Sequence, residues 1–468
     1  MTENPIWYQK VSQKTKLHFD KKKSYIKATN IVKKENVEKH RFFPFIFFQI
    51  KAFRYFLLKK KKKNNENYTH DELFKVRDIN YACYSDSYIF AYYNEMLSQI
   101  YESKLKELNL SAPIAYRSIK TKNNKGKNNI DFAAEVFCEI KKRKNCYCIA
   151  MDIRSFFDTL DHKLLKLALI KILDQGNCLE DDWYTVYKNL TKFHYIELKK
   201  LLKILKKKKS DFWKKGLGFE KICTPEKLRE LIKKHKDLVK ANKFIKANKG
   251  IPQGTNISGL LANIYMLDFD CEIENYINLF DGYYRRYSDD ILIILNNEDD
   301  LTKTLNLVEL LLNKFNLEEA EDKRCISKFQ NGICCKYKDS MTPLQYLGFI
   351  YDGKNIRVRN ATIGKFWRDA KPHIKRMIIT SLKNKQKIPK GKIYGLYSHL
   401  KNRKKNLKKN VAKSFSGNFY KYIRNSDKIF REEYGFSTEV KIKKQMKNSW
   451  QLLNSYIDKT VFEYNIQN

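Results

Sequence analysis

Two short strand-like runs that flank a pair of adjacent carboxylates are the most informative pattern of hydrophobic and polar positions in this chain. Residues 283–287 predict one strand, and the apolar residues 291–295 predict a buried second strand. The turn between them places Asp289 and Asp290 at the tip of a β-hairpin. A buried carboxylate pair is costly unless cations neutralise it, and Mg²⁺ prefers such oxygen ligands. An ordinary acidic turn is the alternative, because Asp is a common turn residue.

A second acidic position ends another apolar run. Residues 146–153 predict a buried strand with Asp152 near its end, where a charged group needs a partner or a metal. Asp152 and Asp289 are 137 positions apart, so only the fold can bring them together. Two carboxylates from separate strands can hold a pair of Mg²⁺ ions about 3.5–4 Å apart. Such a pair activates an attacking hydroxyl and stabilises a leaving pyrophosphate.

A turn followed by a helix lies between these two acidic segments. The GIPQG sequence at 250–254 predicts a stiff turn, and a helical apolar period begins at about Ser258. This turn would lay backbone N–H groups and the side chain of Gln253 against a nucleotide. An ordinary helix N-terminus is the alternative.

Taken in order, these motifs resemble the palm motifs of reverse transcriptases. Four segments carry the resemblance: FFD after Asp152, PQG at 252–254, Tyr-x-Asp-Asp at 287–290, and Tyr-Leu-Gly at 346–348, where the family places its primer grip. Residues 77–105 and the IAYR sequence at 114–117 resemble the fingers of group II intron and retron-type enzymes. The resemblance covers roughly residues 77–360.

The resemblance implies an α+β fold of the right-hand polymerase type, with an antiparallel palm sheet, fingers, a thumb and a basic helical C-terminal extension. The predicted domains are an N-terminal basic and aromatic extension (1–72), the fingers (73–150), the palm (151–345), and a primer-grip hairpin with a helical thumb and extension (346–468). A Lys-rich helical insert at about 162–247 is longer than most relatives carry.

The resemblance also implies a role for each acidic position. Asp152 and Asp289 would ligate both Mg²⁺ ions, with the carbonyl of Ile153 as an extra ligand. Asp290 would support the site as a catalytic and metal-binding residue. Because side chains alternate along a strand, Asp289 and Asp290 cannot face the metals equally.

Further roles follow for the nucleotide and the primer. The implied dNTP-binding residues are Arg117, Phe157, Gln253, Gly254 and Lys323, and the implied primer grip is Leu347 and Gly348. Phe157 would collide with a 2′-hydroxyl and so select deoxynucleotides, although either Phe156 or Phe157 is expected to be core. Arg117 would grip the triphosphate through its planar fork of donors, with a solvated surface arginine as the alternative. Lys323 would protonate pyrophosphate, unless it is a plain surface lysine.

The charge balance indicates a polyanionic partner. The net charge is +42, from 94 basic and 52 acidic side chains, which favours nucleic acid bound through its phosphates. The expected partners are a structured RNA, the DNA product and dNTPs, and a protein partner or homo-oligomer stays open. The basic insert would hold RNA, cover the active site or act as a structural brace. An AT-rich genome would also enrich lysine.

The cysteine and hydropathy patterns indicate where in the cell the chain is expected to work. The ten cysteines form no CxxC pair, so neither a zinc site nor a disulfide framework is expected, and a reducing cytoplasm fits. The aromatic stretch at 41–63 is too short and too often interrupted by Lys and Arg to span a membrane. A buried helix, an interfacial helix or a contact surface for a partner are the interpretations of that stretch.

The resemblance as a whole implies an RNA-directed DNA polymerase that uses Mg²⁺. The basic insert and the AYR and NNIDFAAEVF segments resemble defence-associated and abortive-infection reverse transcriptases of bacteria, so a role in antiviral defence with an associated RNA is expected. Retron or maturase enzymes are alternatives of the same class. A catalytically idle RNA-binding scaffold is an alternative of another class, and Phe157 with Tyr-Ser-Asp-Asp disfavours an RNA polymerase.

Overall fold

The structure of the chain is a computed structural model, and it describes residues 4–53, 74–214, 218–338, 340–399 and 418–467. The fold is α+β. The α-helices are α1 (Ile6–Ser12), α2 (Tyr25–Ile31), α3 (Lys34–Glu38), α4 (Tyr84–Glu107), α5 (Asn129–Arg143), α6 (Phe156–Thr159), α7 (His162–Leu173), α8 (Asp181–Thr191), α9 (Leu198–Ile204), α10 (Pro225–Lys234), α11 (Ser258–Tyr265), α12 (Leu267–Asn278), α13 (Glu298–Lys314), α14 (Asn360–Lys383), α15 (Lys390–Tyr397), α16 (Phe419–Lys428) and α17 (Ser449–Gln467). Short 3₁₀ turns are Lys209–Phe212, Ile245–Ala247, Glu321–Lys323 and Lys444–Met446, and a π-helical turn, Ile429–Glu433, follows α16.

The β-strands are mostly short. They are β1 (Phe45–Phe53), β2 (Phe74–Tyr81), β3 (Cys146–Asp152), β4 (His194–Glu197), β5 (Trp213–Lys214), β6 (Gly218–Phe219), β7 (Val239–Ala241), β8 (Tyr283–Tyr287), β9 (Asp290–Leu295), β10 (Cys325–Gln330), β11 (Ile333–Cys335), β12 (Leu344–Tyr346), β13 (Phe349–Tyr351) and β14 (Ile356–Val358). The chain divides into two compact units: the first contains 1–117 and 151–324, and the second contains 118–150 and 325–468.

The first unit contains a four-stranded sheet in the order β2-β1-β4-β7. β1 pairs antiparallel with β2 and parallel with β4, and β4 pairs antiparallel with β7. The helix proposed for the aromatic stretch at 41–63 is therefore wrong over residues 45–53, which form β1. The physical reason is composition, because Phe and Ile favour a pleated, half-buried strand.

The basic insert at 162–247 is only partly helical, so its prediction as a helical segment needs correction. Besides α7 to α10 it also contributes β4 to β7. Its apolar side chains share a core with the N-terminal segment and β1, which comprises Leu17, Phe19, Ile46, Ile196, Leu201, Phe212, Ile222, Leu228, Leu231 and Leu238. Lys206 to Lys209 are exposed. The insert therefore packs into the core of the first unit and also presents exposed lysines.

A cluster of potential metal ligands in the first unit is occupied by capping contacts. His18, Asp20 and Cys83 are buried, and one ligand atom from each lies within 4.8 Å of the others. The Asp20 carboxylate, however, accepts the backbone N–H groups of Tyr84 and Ser85 at 2.7 and 2.8 Å, at the N-terminus of α4. The backbone N–H of Phe19 donates to Nδ1 of His18 at 2.9 Å. The Asp20 contacts hold the N-terminal segment on α4 and satisfy N–H groups in the first turn of that helix.

The second unit contains two antiparallel sheets. One has the order β11-β10-β3, in which residues 146–150 supply β3, and the other has the order β12-β13-β14. Strands β13 and β14 form a hairpin, and its turn contains Asp352 and Gly353. Helices α14, α15 and α17 enclose a separate core, made of Ala370, Ile374, Ile378, Ile393, Leu453 and Ile457. The lysine runs at 59–63 and 404–409 lie outside the described residues.

Within the described part of the chain, no helix combines the length and apolar character that crossing a bilayer requires.

Candidate active site

The acidic hairpin has the predicted geometry. β8 and β9 pair antiparallel, with Tyr287 opposite Asp290, so Ser288 and Asp289 form the turn. Ser288 adopts a left-handed conformation, with φ at +61°, and its side chain is buried. Side chains alternate along β8, so Tyr284 and Arg286 point inward.

Arg286 forms a fully buried ion pair that supports the hairpin. Its Nε and Nη2 donate to the two carboxylate oxygens of Asp270 in α12, at 2.7 and 2.6 Å, and both side chains are 0% exposed. The Tyr284 hydroxyl donates to the same carboxylate at 2.7 Å. Burial opposes the charge of Arg286, but the Asp270 carboxylate more than offsets it and raises the pKa of the guanidinium. Nη1 of Arg286 donates to the carbonyl of Ser288 at 3.0 Å, which ties the pair to the turn.

The end of β3 lies beside this turn. The backbone N–H of Ile153 donates to the carbonyl of Asp289 at 3.0 Å, so residues 136 positions apart are joined by one hydrogen bond. The carbonyl of Asp152 accepts the N–H of Ala320 at 2.8 Å. Lys323, in the turn that follows α13, donates its ammonium group to the Asp152 carboxylate. The fold thus brings four of the predicted site residues together in the first unit.

The PQG turn is attached to β2. The carbonyl of Gln253 accepts the N–H of Asn80 at 2.8 Å. Gly254 has φ at +118°, and a Cβ at this position would lie 2.8 Å from the carbonyl oxygen of Asn80. The Ser258 hydroxyl, at the start of α11, donates to the carbonyl of Pro252 at 2.7 Å. Only glycine fits position 254, and the turn leads directly into the predicted helix.

The two phenylalanines after Asp152 have different environments. Phe156 is 3% exposed and belongs to the core, whereas Phe157 is half-buried. The carbonyl of Phe157 accepts the N–H of Ile251 at 2.9 Å, which joins this segment to the PQG turn. The ring of Tyr116 lies edge-on to Phe157, with centroids 6.4 Å apart. Phe157 therefore has the accessibility that a sugar gate needs.

Arg117 is held by protein groups. Its Nε and Nη2 donate to the carboxylate of Glu102 in α4, at 2.8 and 2.7 Å, and its Nη1 donates to the carbonyl of Pro113 at 2.6 Å. The arginine side chain is 13% exposed. It is therefore not the solvated surface arginine of the alternative interpretation, and its role as a triphosphate grip stays a prediction.

The segment predicted as a primer grip is a tight hairpin turn in the second unit. Leu347 and Gly348 connect β12 to β13, and both have positive φ, +44° and +96°. Two positive φ values define a type I′ turn, which matches the twist of antiparallel strands. The carbonyl of Leu347 accepts the side-chain amide of Asn129 at 3.1 Å, and the carbonyl of Gly348 accepts the N–H of Arg359 at 3.1 Å.

Comparison with known protein families finds a match, and it contains both the acidic hairpin and the Leu347 turn. Residues 190–351 match the family model described as reverse transcriptase (RNA-dependent DNA polymerase). This segment of the chain is therefore similar to a reverse transcriptase domain. The matched residues are about a third of the chain and include Gln253, Asp289, Lys323 and Leu347, while Asp152 precedes them. No curated protein matches the chain.

Among solved structures, the chain is similar to telomerases. Telomerase from Candida tropicalis with a fragment of telomeric RNA is 14% identical, over 84% of this chain and 60% of that one, with a TM-score of 0.35. A C-terminally truncated apo telomerase from Candida tropicalis is 15% identical, over 61% and 52%, with a TM-score of 0.38. Telomerase from Candida albicans with a telomeric RNA fragment is 10% identical, over 64% and 48%, with a TM-score of 0.35. The chain thus spans about half the length of these telomerases.

The set of oxygen donors at the acidic hairpin and the end of β3 fits Mg²⁺. Asp152, Asp289 and Asp290 offer carboxylate oxygens, which are the ligands that a hard divalent cation prefers. The predicted set contains neither sulfur nor imidazole ligands. The ammonium group of Lys323 at Asp152 is consistent with a carboxylate that attracts cations.

Several supporting residues were missed by the sequence analysis. Arg286 and Asp270 hold the base of the acidic hairpin, Tyr116 contacts its tip, and Asn129 fixes the separate Leu347 turn. A signal was available for Arg286, because strand alternation places it on the same inward face as Tyr284. No sequence pattern indicates the partners of Tyr116 or Asn129, which come from distant segments.

Proposed function

We propose that this chain is an RNA-directed DNA polymerase that extends a 3′-hydroxyl with dNTPs, using Mg²⁺. The observation that carries the proposal is the hydrogen bond from Ile153 to Asp289, which places the end of β3 beside the acidic turn. Adjacent carboxylates on separate strands are the arrangement that two-metal phosphoryl transfer needs. The match of residues 190–351 to the reverse transcriptase family supports the same reaction.

In this proposal Asp152 and Asp289 hold the Mg²⁺ ions, with Asp290 and the carbonyl of Ile153 in support. Bound Mg²⁺ supplies stabilisation of the charge that develops on the transferred phosphoryl group. Lys323 is placed to hold a proton close to this charge, because its ammonium group contacts Asp152. It would deliver that proton to the leaving pyrophosphate.

In this proposal nucleotide selection is assigned to Phe157 and the PQG turn. Phe157 excludes a 2′-hydroxyl by its bulk, and its half-buried ring supports this role. Gln253 and Gly254 form the neighbouring surface, since the turn that contains them is joined to the Phe157 segment through Ile251.

The test is primer extension by the purified chain on RNA and DNA templates. Asp152→Asn and Asp289→Asn preserve side-chain size but remove a metal-binding charge, so each should lower dNTP incorporation about a thousandfold. Asp299→Asn, on the exposed first turn of α13, is the matched control and should leave the rate unchanged. Incorporation by both site variants within tenfold of the parent chain would refute the assignment.

Antiviral defence with an associated RNA is the narrower part of this proposal. The exposed lysines at 206–209 in the insert support an RNA contact outside the active site. Sequencing of the RNA that co-purifies with the chain, together with phage plating on cells that carry the parent chain or Asp289→Asn, tests this role. Protection that survives Asp289→Asn would favour an idle RNA-binding scaffold over a polymerase.

A further inference from the structure

Tyr116 has an unusual backbone conformation for a bulky residue. Its φ is +60°, in the left-handed region that side chains other than Gly, Asn and Asp rarely adopt. Its side chain is nevertheless 53% exposed, so core packing does not explain the conformation. Strained residues of this kind persist where the surroundings hold them, and they concentrate at functional sites.

Two contacts connect the Tyr116 side chain to the candidate active site. Its hydroxyl oxygen is hydrogen-bonded to the Ser288 hydroxyl, at 3.0 Å, in the turn that carries Asp289. Its ring meets Phe157 at an interplanar angle of 78°. The backbone before it is fixed as well, because the side-chain amide of Asn263 donates to the carbonyl of Ala115 at 2.8 Å. One side chain thus touches both the acidic turn and the predicted sugar gate.

Gly259 makes room for this ring. A Cβ at position 259, in the first turn of α11, would lie 2.6 Å from two carbons of the Tyr116 ring. Real Cβ atoms do not approach other atoms so closely, so any other residue would displace the ring. The helix that follows the PQG turn therefore accommodates Tyr116 in its observed position.

We propose that Tyr116 determines sugar selectivity and positions the acidic turn: its ring braces Phe157, and its hydroxyl holds Ser288. This inference rests on the proposed polymerase function. A braced Phe157 cannot swing away from an incoming 2′-hydroxyl, whereas an unbraced ring can. The hydroxyl acts separately, because it contacts Ser288 in the turn, whereas the ring contacts Phe157.

The ring is tested by nucleotide competition. Tyr116→Ala should raise the ratio of rNTP to dNTP incorporation about tenfold, while Tyr116→Phe, which keeps the ring, should preserve the ratio. Gly259→Ala should raise the ratio in the same way and add nothing in the Tyr116→Ala background, where no ring remains to be displaced. Gly364→Ala, in α14 with no atom near its added Cβ, is the matched helical control.

The hydroxyl is tested by kinetics. Tyr116→Phe and Ser288→Ala each remove one partner of the same hydrogen bond, so each should lower kcat about two- to tenfold with KM for dNTP unchanged. The double variant should be no slower than the slower single variant, because the interaction can be lost only once. The thermal midpoint of every variant shows whether it is folded under assay conditions.

Each outcome has a defined meaning. If Tyr116→Ala stays folded and keeps the ratio of the parent chain, while Phe157→Ala changes it, the inference is overturned and the polymerase assignment stands. A ratio unmoved by Gly259→Ala, or additive kcat losses in the double variant, would also count against it. A parent chain without polymerase activity would overturn both the proposed function and this inference.

Discussion

Replacement of Asp270 by Asn should destabilise the first unit severely. The change keeps the size of the side chain but removes the charge that neutralises Arg286, and both side chains are 0% exposed. The Asn amide would also turn N–H donors toward the guanidinium, where two short hydrogen bonds exist now. An uncompensated buried charge of this kind costs about 3–5 kcal/mol.

That cost is large compared with the free energy of unfolding of a typical domain, about 5–15 kcal/mol. For a unit of this size it corresponds to a fall in the thermal midpoint of about 6–20 °C. Circular dichroism and chemical denaturation of the parent chain and of the Asp270→Asn variant measure both quantities. Polymerase activity should fall as well, because Arg286 also holds the carbonyl of Ser288.

A neighbouring exposed pair supplies the control. Asp268 lies on the same helix and pairs with Lys171, but these side chains are 50% and 62% exposed. Asp268→Asn should therefore cost no more than about 1 kcal/mol. Replacing both buried partners, as in Asp270→Leu with Arg286→Met, should recover much of the lost stability because no buried charge remains. If Asp270→Asn destabilises the chain no more than Asp268→Asn, the reasoning from burial is wrong.

Three further predictions concern other parts of the molecule. If the Arg117 guanidinium grips the triphosphate, Arg117→Lys should raise KM for dNTP about tenfold, whereas Glu102→Gln should leave KM nearly unchanged. Equal effects of the two variants in steady-state kinetics would indicate that the pair is only structural. Gly348→Ala should lower the free energy of unfolding, measured with denaturant, by at least about 1 kcal/mol, because φ at this position is +96°. Leu347→Gly should raise it by about 0.5–1 kcal/mol, because glycine relieves the strain of a φ of +44°. Charge reversal of Lys206 to Lys209 should weaken RNA binding and reduce the slope of log K against log salt concentration, with Lys303→Glu as an exposed control. An unchanged slope would mean that these lysines only face solvent and do not contact RNA.

The elements that the sequence predicted well are those whose pattern is local. The hairpin at 283–295, the strand that ends at Asp152 and the helix from Ser258 each have a periodicity that is visible within a few residues, and all three are confirmed. The sheet β2-β1-β4-β7 was not predicted, because its pairing joins segments about 150 positions apart. Aromatic residues at 45–53 suit a buried helix or a strand equally until their partner strands are known.

In the candidate site, too, features with a local sequence pattern could be predicted, whereas contacts between distant segments could not. Residue types and order were enough to nominate Asp152 and Asp289, because a charged group at the end of a buried strand needs a partner or a metal. The structure brings the two segments together, and their role in metal binding stays a prediction. The pairing of Arg117 with Glu102 could not be predicted, since any nearby acid would have served equally well. The position of Tyr116 depends on a left-handed φ and on a glycine from another helix, and neither is visible in a local pattern.

The attachment of the PQG turn to β2 has a consequence for how this sequence can diverge. The hydrogen bond between the Asn80 N–H and the Gln253 carbonyl is made by main-chain atoms on both sides, so it survives nearly any exchange of the two side chains. The adjacent Gly254 has no such freedom, because a methyl group there would meet the carbonyl oxygen of Asn80 at 2.8 Å. Descendants of this chain should therefore vary at position 80 and keep glycine at 254. The conformation of the turn should be retained while the neighbouring residues change.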